Sequence, residues 1–203
     1  MKIARKIIFV AFLVACSTRI FSQSFDKHDV VIDAGADLGV YSAQFTDKVL
    51  NTIKNNSATS GIYSAGVEFG LLKWLGIGAR FSFDNYLTLK DSSSGKSYNG
   101  RLFLNIHLVR RSRLDLLIGG SYGVSVFSYK NDITNVTANG NGPLADVYII
   151  PRIYFGSHFG IFARLAYENF NYQSVTSDNT SILNNFSLNG GGVNIGVGIQ
   201  LKL

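Results

Sequence analysis

Residues Gly190 to Leu203 read GGGVNIGVGIQLKL, and this stretch decides the fold. From Val193 onward the odd-numbered positions are all aliphatic, whereas the even-numbered positions are glycine, asparagine, glutamine or lysine. Side chains in a β-strand alternate between two faces, so such a strand has one aliphatic face and one small or polar face. A helix would mix the two sets of residues. The pattern therefore predicts a β-strand.

The same alternation recurs in seven segments upstream, which predict seven further strands. They cover residues 30–41, 62–71, 75–84, 101–108, 114–126, 146–155 and 159–168. Such lengths suit tilted strands that cross a bilayer. Pro151 weakens the prediction of the sixth strand, because proline cannot donate a hydrogen bond to a ladder and usually lies at an edge or a bulge.

The connections between these segments alternate between short and long. Tight turns are predicted at residues 72–74, 110–112 and 156–158, and long polar connections at residues 42–61, 90–97, 130–143 and 173–189. Outer-membrane barrels have this arrangement, with short periplasmic turns and long external loops. The sequence therefore predicts an all-β fold, an eight-stranded antiparallel up-and-down transmembrane β-barrel with both termini on the periplasmic side.

One face of every predicted strand is nearly free of charge, and it could either meet lipid or fill a soluble barrel. A lipocalin-like barrel also has eight strands, but it is wet outside and apolar inside. Aromatic residues near both strand ends favour lipid outside, since membrane barrels have two aromatic girdles. Those near the long connections are Tyr41, Tyr63, Phe83, Tyr86, Tyr98, Phe127, Tyr129 and Tyr167, and those near the tight turns are Trp74, Phe155 and Phe159.

The opposite face of the strands carries the charge. Its charged members are Asp33, Asp37, Glu68, Arg80, Asp84, Arg101, His107, Asp115, Arg152, Arg164 and Glu168. An eight-stranded barrel has room inside only for side chains, so we expect the arginines to pair with the carboxylates in a plugged core. His107 is expected to pair with Asp115 or Glu68. In the alternative interpretation, these side chains line a narrow path for ions or small solutes.

The N-terminal residues predict export. Lys2, Arg5 and Lys6 precede an apolar run at residues 7–15 that is too short to span a bilayer as a helix. We predict a cleaved signal peptide at residues 1–22 and an outer-membrane barrel domain at residues 23–203. Four of the 19 basic residues leave with the signal, so 15 basic and 13 acidic residues remain and the net charge falls from +6 to +2. The basic charge therefore does not indicate nucleic-acid binding.

Cys16 permits a second interpretation of the N-terminus. The sequence LVAC at residues 13–16 resembles the lipobox of bacterial lipoproteins, in which the cysteine is lipidated and becomes the first residue. Cleavage would then fall before Cys16 instead of before Gln23. Cys16 is the only cysteine, so no disulfide forms within the chain.

The strand number, the alternation and the loop pattern over residues 29–203 resemble those of the small eight-stranded outer-membrane barrels, the OmpA-like and OmpX-like porin family. The resemblance implies an integral protein of the Gram-negative outer membrane, surrounded by outer-membrane lipid. It also implies insertion by the barrel-assembly machinery with the help of periplasmic chaperones. Barrels of this family commonly end in an aromatic residue, whereas this chain ends in Leu203.

The residues indicate little catalytic chemistry. His28 precedes the first strand, His158 lies in a tight turn, and His107 falls near the periplasmic end of its strand, away from an external rim. No Cys/His cluster indicates a metal site, and the glycines at residues 190–192 meet no helix, so no phosphate loop is predicted. We therefore predict a protein without cofactor or enzymatic activity, with a structural role or a role in surface interaction through an external ligand of its four long loops. A narrow channel is the first alternative and a lipid-modifying enzyme at the rim is a distant one.

Overall fold

The computed structural model describes residues 24–47, 52–87, 93–131, 136–177 and 186–203. The predicted signal peptide and Cys16 lie outside these residues and stay predictions. The described chain forms eight strands, which are β1 (Val30–Asp47), β2 (Thr52–Leu72), β3 (Leu75–Tyr86), β4 (Ser93–Arg110), β5 (Leu114–Asn131), β6 (Val136–Phe155), β7 (Phe159–Ser177) and β8 (Phe186–Lys202). Among the described residues, no helix is long and apolar enough to cross a membrane.

The strands close into a single antiparallel barrel in sequence order. Each strand pairs with the next along the chain, and β1 also pairs with β8 through contacts such as Ala34 with Ile199. The predicted fold class, an eight-stranded up-and-down barrel, is therefore confirmed. We call the end that carries the turns at residues 73–74, 111–113 and 156–158 the tight-turn end, and the opposite end the far end.

Most of the predicted long connections belong to the strands, which corrects the sequence prediction at the far end. Residues 42–47 and 52–61, for example, continue β1 and β2 and pair with each other as far as Asp47 and Thr52. Seven strands contain 17 to 21 residues, and only β3 is short, with 12. Backbone pairing requires no apolar alternation, so these polar segments extend the ladder without the signal that identifies a half-buried strand.

Pro151 lies within β6 and does not end it. It is exposed on the outer face and stands opposite Leu116 of β5. On its other side, the ladder with β7 pairs Ile149 with Leu165 and then resumes only at Arg152 with Phe162. The missing N–H of proline therefore falls where the ladder is interrupted, as expected for proline in a sheet.

The barrel has its apolar side chains outside and its charged side chains inside, which is the reverse of a soluble protein. Large aliphatic side chains cover the outside, with Leu102, Val124 and Val197 at least 66% exposed. The interior holds most of the charged residues of the strands, as the alternation predicted. In water such a surface would be a very large apolar patch, whereas in lipid it is the expected exterior of a barrel.

Aromatic side chains lie at two levels of the outer face. Tyr63, Tyr98 and Tyr167 are 60%, 51% and 52% exposed towards the far end, whereas Trp74 and Phe155 are exposed at the tight-turn end. The sequence places Tyr41 among the aromatic residues that are predicted to face lipid near the long connections. This prediction is wrong, because Tyr41 is only 2% exposed and points into the barrel. The reason lies in the alternation of β1, in which the odd-numbered positions from 31 to 41 face inward. Tyr86, Phe127 and Tyr129 are likewise half-buried rather than exposed.

Candidate functional site

The barrel interior is the candidate functional site, because the charged side chains converge there. All eleven residues of the predicted charge network lie inside and are at most 6% exposed, namely Asp33, Asp37, Glu68, Arg80, Asp84, Arg101, His107, Asp115, Arg152, Arg164 and Glu168. Asp146 belongs to the same network but was absent from the predicted set, although the alternation of β6 placed it on the inner face. Lys202 is also buried.

The first group of charges lies near the tight-turn end, around Glu68 of β2. The Oε1 atom of Glu68 accepts a hydrogen bond of 2.8 Å from Nδ2 of Asn105 and lies 3.0 Å from Nε2 of His107. The other ring nitrogen of His107 lies 2.9 Å from the carboxylate of Asp115. Arg152 completes the group with an ion pair of 2.8 Å to Glu68 and a longer contact of 3.6 Å to Asp115. His107 therefore contacts both of the carboxylates that the sequence offered as alternatives.

The second group is the ion pair of Arg80 on β3 with Asp33 on β1. The guanidinium Nη2 atom lies 3.1 Å from Oδ2 of Asp33, and both side chains are almost completely buried. The guanidinium carbon also lies 5.0 Å from the centre of the Phe103 ring and 5.7 Å from that of Tyr148. Aromatic faces next to a desolvated guanidinium add a favourable cation–π interaction, so this pair is held by both charge and packing.

The third group surrounds Arg101 of β4, towards the far end. Its Nη1 atom donates to Asp146 of β6 at 2.5 Å and to Glu168 of β7 at 2.7 Å, and its Nη2 atom donates to Ser82 at 3.0 Å. Glu168 also accepts a hydrogen bond of 3.1 Å from the hydroxyl of Tyr41. A single arginine thus holds two buried carboxylates, which is the arrangement in which loss of the cation is most costly.

Asp84 lies beside this group and is held by neutral donors. Ser97 and the amide of Asn99 each donate to Oδ2 of Asp84 at 2.9 Å. Hydrogen bonds to the charged form stabilise a buried carboxylate when a cation is not in direct contact. The same amide of Asn99 also donates to Ser82, so this carboxylate is connected to the Arg101 group through one serine.

The fourth group pairs Arg164 of β7 with Asp37 of β1. The Nε atom of Arg164 donates to Oδ1 at 3.0 Å, and Nη2 donates to Oδ2, so the contact is bidentate. Gly196 of β8 makes room for it, since a Cβ atom at this position would lie 1.8 Å from Oδ1 of Asp37. Glycine is therefore needed at position 196 because the carboxylate of Asp37 lies where a side chain would otherwise begin.

An aromatic cap closes the far end of the interior above these charges. We define the aromatic cap as the buried residues Tyr41, Ile62, Leu144, Phe170, Tyr172 and Val175, each at most 5% exposed. Tyr86 and Phe127 pack against it, and the Phe127 ring stacks on Tyr172 with centroids 5.7 Å apart. The cap residues come from β1, β2, β6 and β7, so side chains from opposite parts of the ring pack against one another inside the barrel.

Residues 24–29 lie at the tight-turn end, and we call them the N-terminal plug because the ring of Phe25 is buried inside the barrel. Phe25 is 0% exposed and stacks on the His107 ring, with a centroid distance of 3.6 Å and an interplanar angle of 10°. The plug is fixed to β2 by two backbone hydrogen bonds, from His28 N to Gly70 O at 2.8 Å and from Gly70 N to Asp29 O at 2.9 Å. The sequence prediction missed the plug, because these residues precede the first strand and show no periodic pattern.

Two local features bend the plug back into the barrel. His28 has a φ of 70°, a left-handed conformation that non-glycine residues adopt mainly in turns, and Asp26 N donates to the side chain of Asp29 at 2.7 Å. Gly70 permits the close approach, since a Cβ atom there would lie 2.4 Å from the carbonyl oxygen of Asp26. Lys202 of β8 adds an ion pair of 3.4 Å to Asp29.

The chemistry of this interior is that of a salt-bridged core. Both nitrogens of His107 face carboxylates, and Phe25 covers its ring, so the ring is not available to a substrate. In the described part of the chain, no group of three or more His, Cys, Asp or Glu side chains could hold a metal ion. In this arrangement most of the buried carboxylates lie within ion-pair distance of a buried arginine or of His107.

Comparisons of the fold identify outer-membrane proteins. Neisserial surface protein A is 13% identical, with a TM-score of 0.56 over 86% of this chain and 97% of that chain. The outer-membrane protein OprG from Pseudomonas aeruginosa is 10% identical, with a TM-score of 0.57 over 88% of this chain and 97% of that chain. At such identities the similarity shows a shared fold.

The outer-membrane protease OmpT from Escherichia coli is also similar, at 10% identity and a TM-score of 0.47 over 92% of this chain and 100% of that chain, which is too low to bear on activity. The sequence matches no family model. No curated protein matches it either.

Proposed function

Because the chain has the fold of the small outer-membrane β-barrels, we propose that it is an integral protein of a bacterial outer membrane with a closed interior. Its role is structural or surface-interactive and not that of a pore. Outer-membrane barrels place their short turns in the periplasm, so we propose that the tight-turn end faces the periplasm and that the far end faces the exterior of the cell. Outer-membrane lipid surrounds the barrel, and the barrel-assembly machinery and periplasmic chaperones assist its insertion.

The single observation that carries this proposal is the filled interior. Four groups of paired charges occupy the barrel, the aromatic cap lies above them, and Phe25 lies below them. A conducting path would need a continuous line of water through these layers. The close packing of the aromatic cap and of Phe25, and the direct pairing of the charges between them, support a structural core over the alternative of a narrow channel.

The length of the strands supports a role outside the membrane. A tilted strand crosses a bilayer with about 9–11 residues. Seven of the strands have 17 to 21 residues, so a large part of each stands beyond the lipid at the far end. We propose that this extension, together with the four connections at its tips, presents the surface to an external ligand. Such a surface is a paired sheet and not a set of long loops.

We further propose that the protein is not an enzyme. The position of His107 supports this, since it is covered by Phe25 at the tight-turn end and held between two carboxylates. A general base must reach a substrate within hydrogen-bond distance. The barrel offers His107 no such access, and the remaining histidines, His28 and His158, lie outside the interior.

Single-channel recording tests the closed interior. The protein is refolded into a planar bilayer, and folding is verified by a heat-dependent shift on a gel. We expect no steady openings from the folded protein. Openings whose conductance changes in Arg101→Ala would show that the interior charges line a path, and the proposal of a closed core would then be wrong.

A further inference from the structure

A groove on the outer face of the barrel has no role in the closed core. It has a volume of about 410 Å³ and lies where β8, β1, β2 and the end of β3 meet. Its main apolar lining consists of Ala36, Leu38, Gly61, Tyr63, Leu87 and Ile195. Asp37 also borders the groove, but its carboxylate is paired with Arg164 in the interior and offers no free charge there.

The groove exists because small residues form its floor between large neighbours. Gly61 of β2 stands opposite Leu38 of β1 in the ladder, and Leu38 stands opposite Ile195 of β8. Leu38, Tyr63 and Ile195 are 58%, 60% and 64% exposed, so they project as walls. A Cβ atom at Gly61 would meet only the side chain of Leu87, at 3.9 Å. The absent side chain of Gly61 therefore leaves the space.

The end of the groove that lies towards the far end of the barrel is polar. β3 ends at Tyr86, and Leu87 then donates its N–H to the carbonyl of Thr59 at 2.7 Å, which brings its side chain over Gly61. Asn85, which also lines the groove, is the ladder partner of Lys96 on β4, so the two side chains share the outer face. Lys96 is exposed. A cation thus stands beside the polar end of the groove, two residues along β4 from the outward-facing ring of Tyr98.

The chemistry of the groove fits a lipid better than a second copy of the chain. An isologous dimer would place the same concave patch on both subunits, and two grooves facing each other would leave their floors unfilled. A flexible acyl chain fills such a space and restores the dispersion contacts that an empty groove lacks. Basic side chains at the edge of a membrane protein attract anionic head groups.

We propose that the groove binds one acyl chain of a phosphorylated membrane lipid and that Lys96 contacts its head group. This inference rests on the proposed membrane location of the barrel. It assigns a specific site on the lipid-facing wall, distinct from the general contact that any membrane barrel makes with its bilayer. The acyl chain lies over Gly61 between Leu38 and Leu87, with the head group beside Asn85.

Native mass spectrometry of the delipidated full chain in detergent, titrated with phosphatidylglycerol, tests the site. We expect one lipid to remain bound to the natural protein. Gly61→Leu fills the groove and should weaken binding by about tenfold or more. Ala36→Leu adds bulk to the floor of the groove from β1 and should also weaken lipid binding. Lys96→Gln should weaken the binding of phosphatidylglycerol. It should leave the binding of diacylglycerol unchanged, because diacylglycerol lacks the phosphate.

Gly100→Leu is the matched control. Gly100 lies exposed on β4, and a Cβ atom there meets nothing within 4 Å, so the variant adds the same bulk away from the groove. The inference is wrong if Gly61→Leu and Gly100→Leu retain lipid equally, if the spectra show no single bound lipid in the natural protein, or if filling the groove dissociates a dimer. A heat-dependent gel shift shows separately that each variant folds, and failure of the natural protein to insert into vesicles would instead contradict the proposed function.

Discussion

Removal of the positive charge of Arg101 is the most informative test of the interior. Arg101→Met keeps the bulk of the side chain but removes the cation that lies 2.5 Å from Asp146 and 2.7 Å from Glu168. Both carboxylates are only 3% exposed, so neither can recover hydration without opening the barrel. Breaking one buried pair costs about 3–5 kcal/mol, and because one arginine serves two carboxylates we expect a loss of about 4–5 kcal/mol.

The assay is equilibrium unfolding in urea, with the protein in detergent micelles and the folded fraction read from the heat-dependent gel shift. Arg110→Met is the control, because Arg110 is exposed and, among the described residues, its guanidinium donates to the carbonyl of Lys73 at 3.0 Å and forms no ion pair. Loss of such a surface contact should cost no more than about 1 kcal/mol. The two variants therefore remove the same charged group from a buried and an exposed position.

A rescue variant separates the unpaired charges from a simple loss of packing. Arg101→Met combined with Asp146→Asn and Glu168→Gln removes the cation together with its anions. Asn and Gln carry no charge, so the penalty of two unpaired buried carboxylates is removed and part of the lost free energy should return. The reasoning is refuted if Arg101→Met is no less stable than Arg110→Met, or if the triple variant is no more stable than Arg101→Met alone.

Three further outcomes follow from the plug and the ladder. Phe25→Ala should lower the urea midpoint, because it removes a fully buried ring that stacks on His107 at 3.6 Å, and an unchanged midpoint would show that this ring is not packed there. Gly70→Ala should lower the urea midpoint, because its Cβ atom would lie 2.4 Å from the carbonyl oxygen of Asp26, and an unchanged midpoint would contradict the tight plug. Pro151→Ala should change the midpoint little, because proline already lies where the ladder to β7 is interrupted, and a large stabilisation would show that the proline weakens β6.

The strands were predictable from the sequence along those parts where one face meets the apolar surroundings and the other meets the charged interior. Within the apolar band, positions such as Leu38 and Asp37 alternate because one meets the outside and the other the charged core. Beyond that band both faces meet water, so residues 52–61 show no alternation although they pair along β1. The prediction of long connections there failed for this reason, since hydrogen bonding and not hydropathy holds these segments in the sheet.

The inner face of each strand was predictable, but the partners across the barrel were not. Alternation places Asp146 and Arg101 inside, whereas their contact depends on the stagger between strands, which no short stretch of sequence encodes. The plug was hidden for a different reason. Phe25 lies outside every periodic segment, and its position against the His107 ring follows only from the folded structure.

The ion pairs of the core also link strands that are not neighbours in the barrel. Arg80 on β3 meets Asp33 on β1, and Arg164 on β7 meets Asp37 on β1, so neither arginine finds these partners on a strand next to its own. A hairpin or a partly closed sheet inside the bilayer would therefore carry unpaired charges. Arg164 and Asp37 are brought together only where β8 pairs with both β7 and β1, so we expect a sheet that has not closed to carry these two charges unpaired and to be less stable in the bilayer than the closed ring.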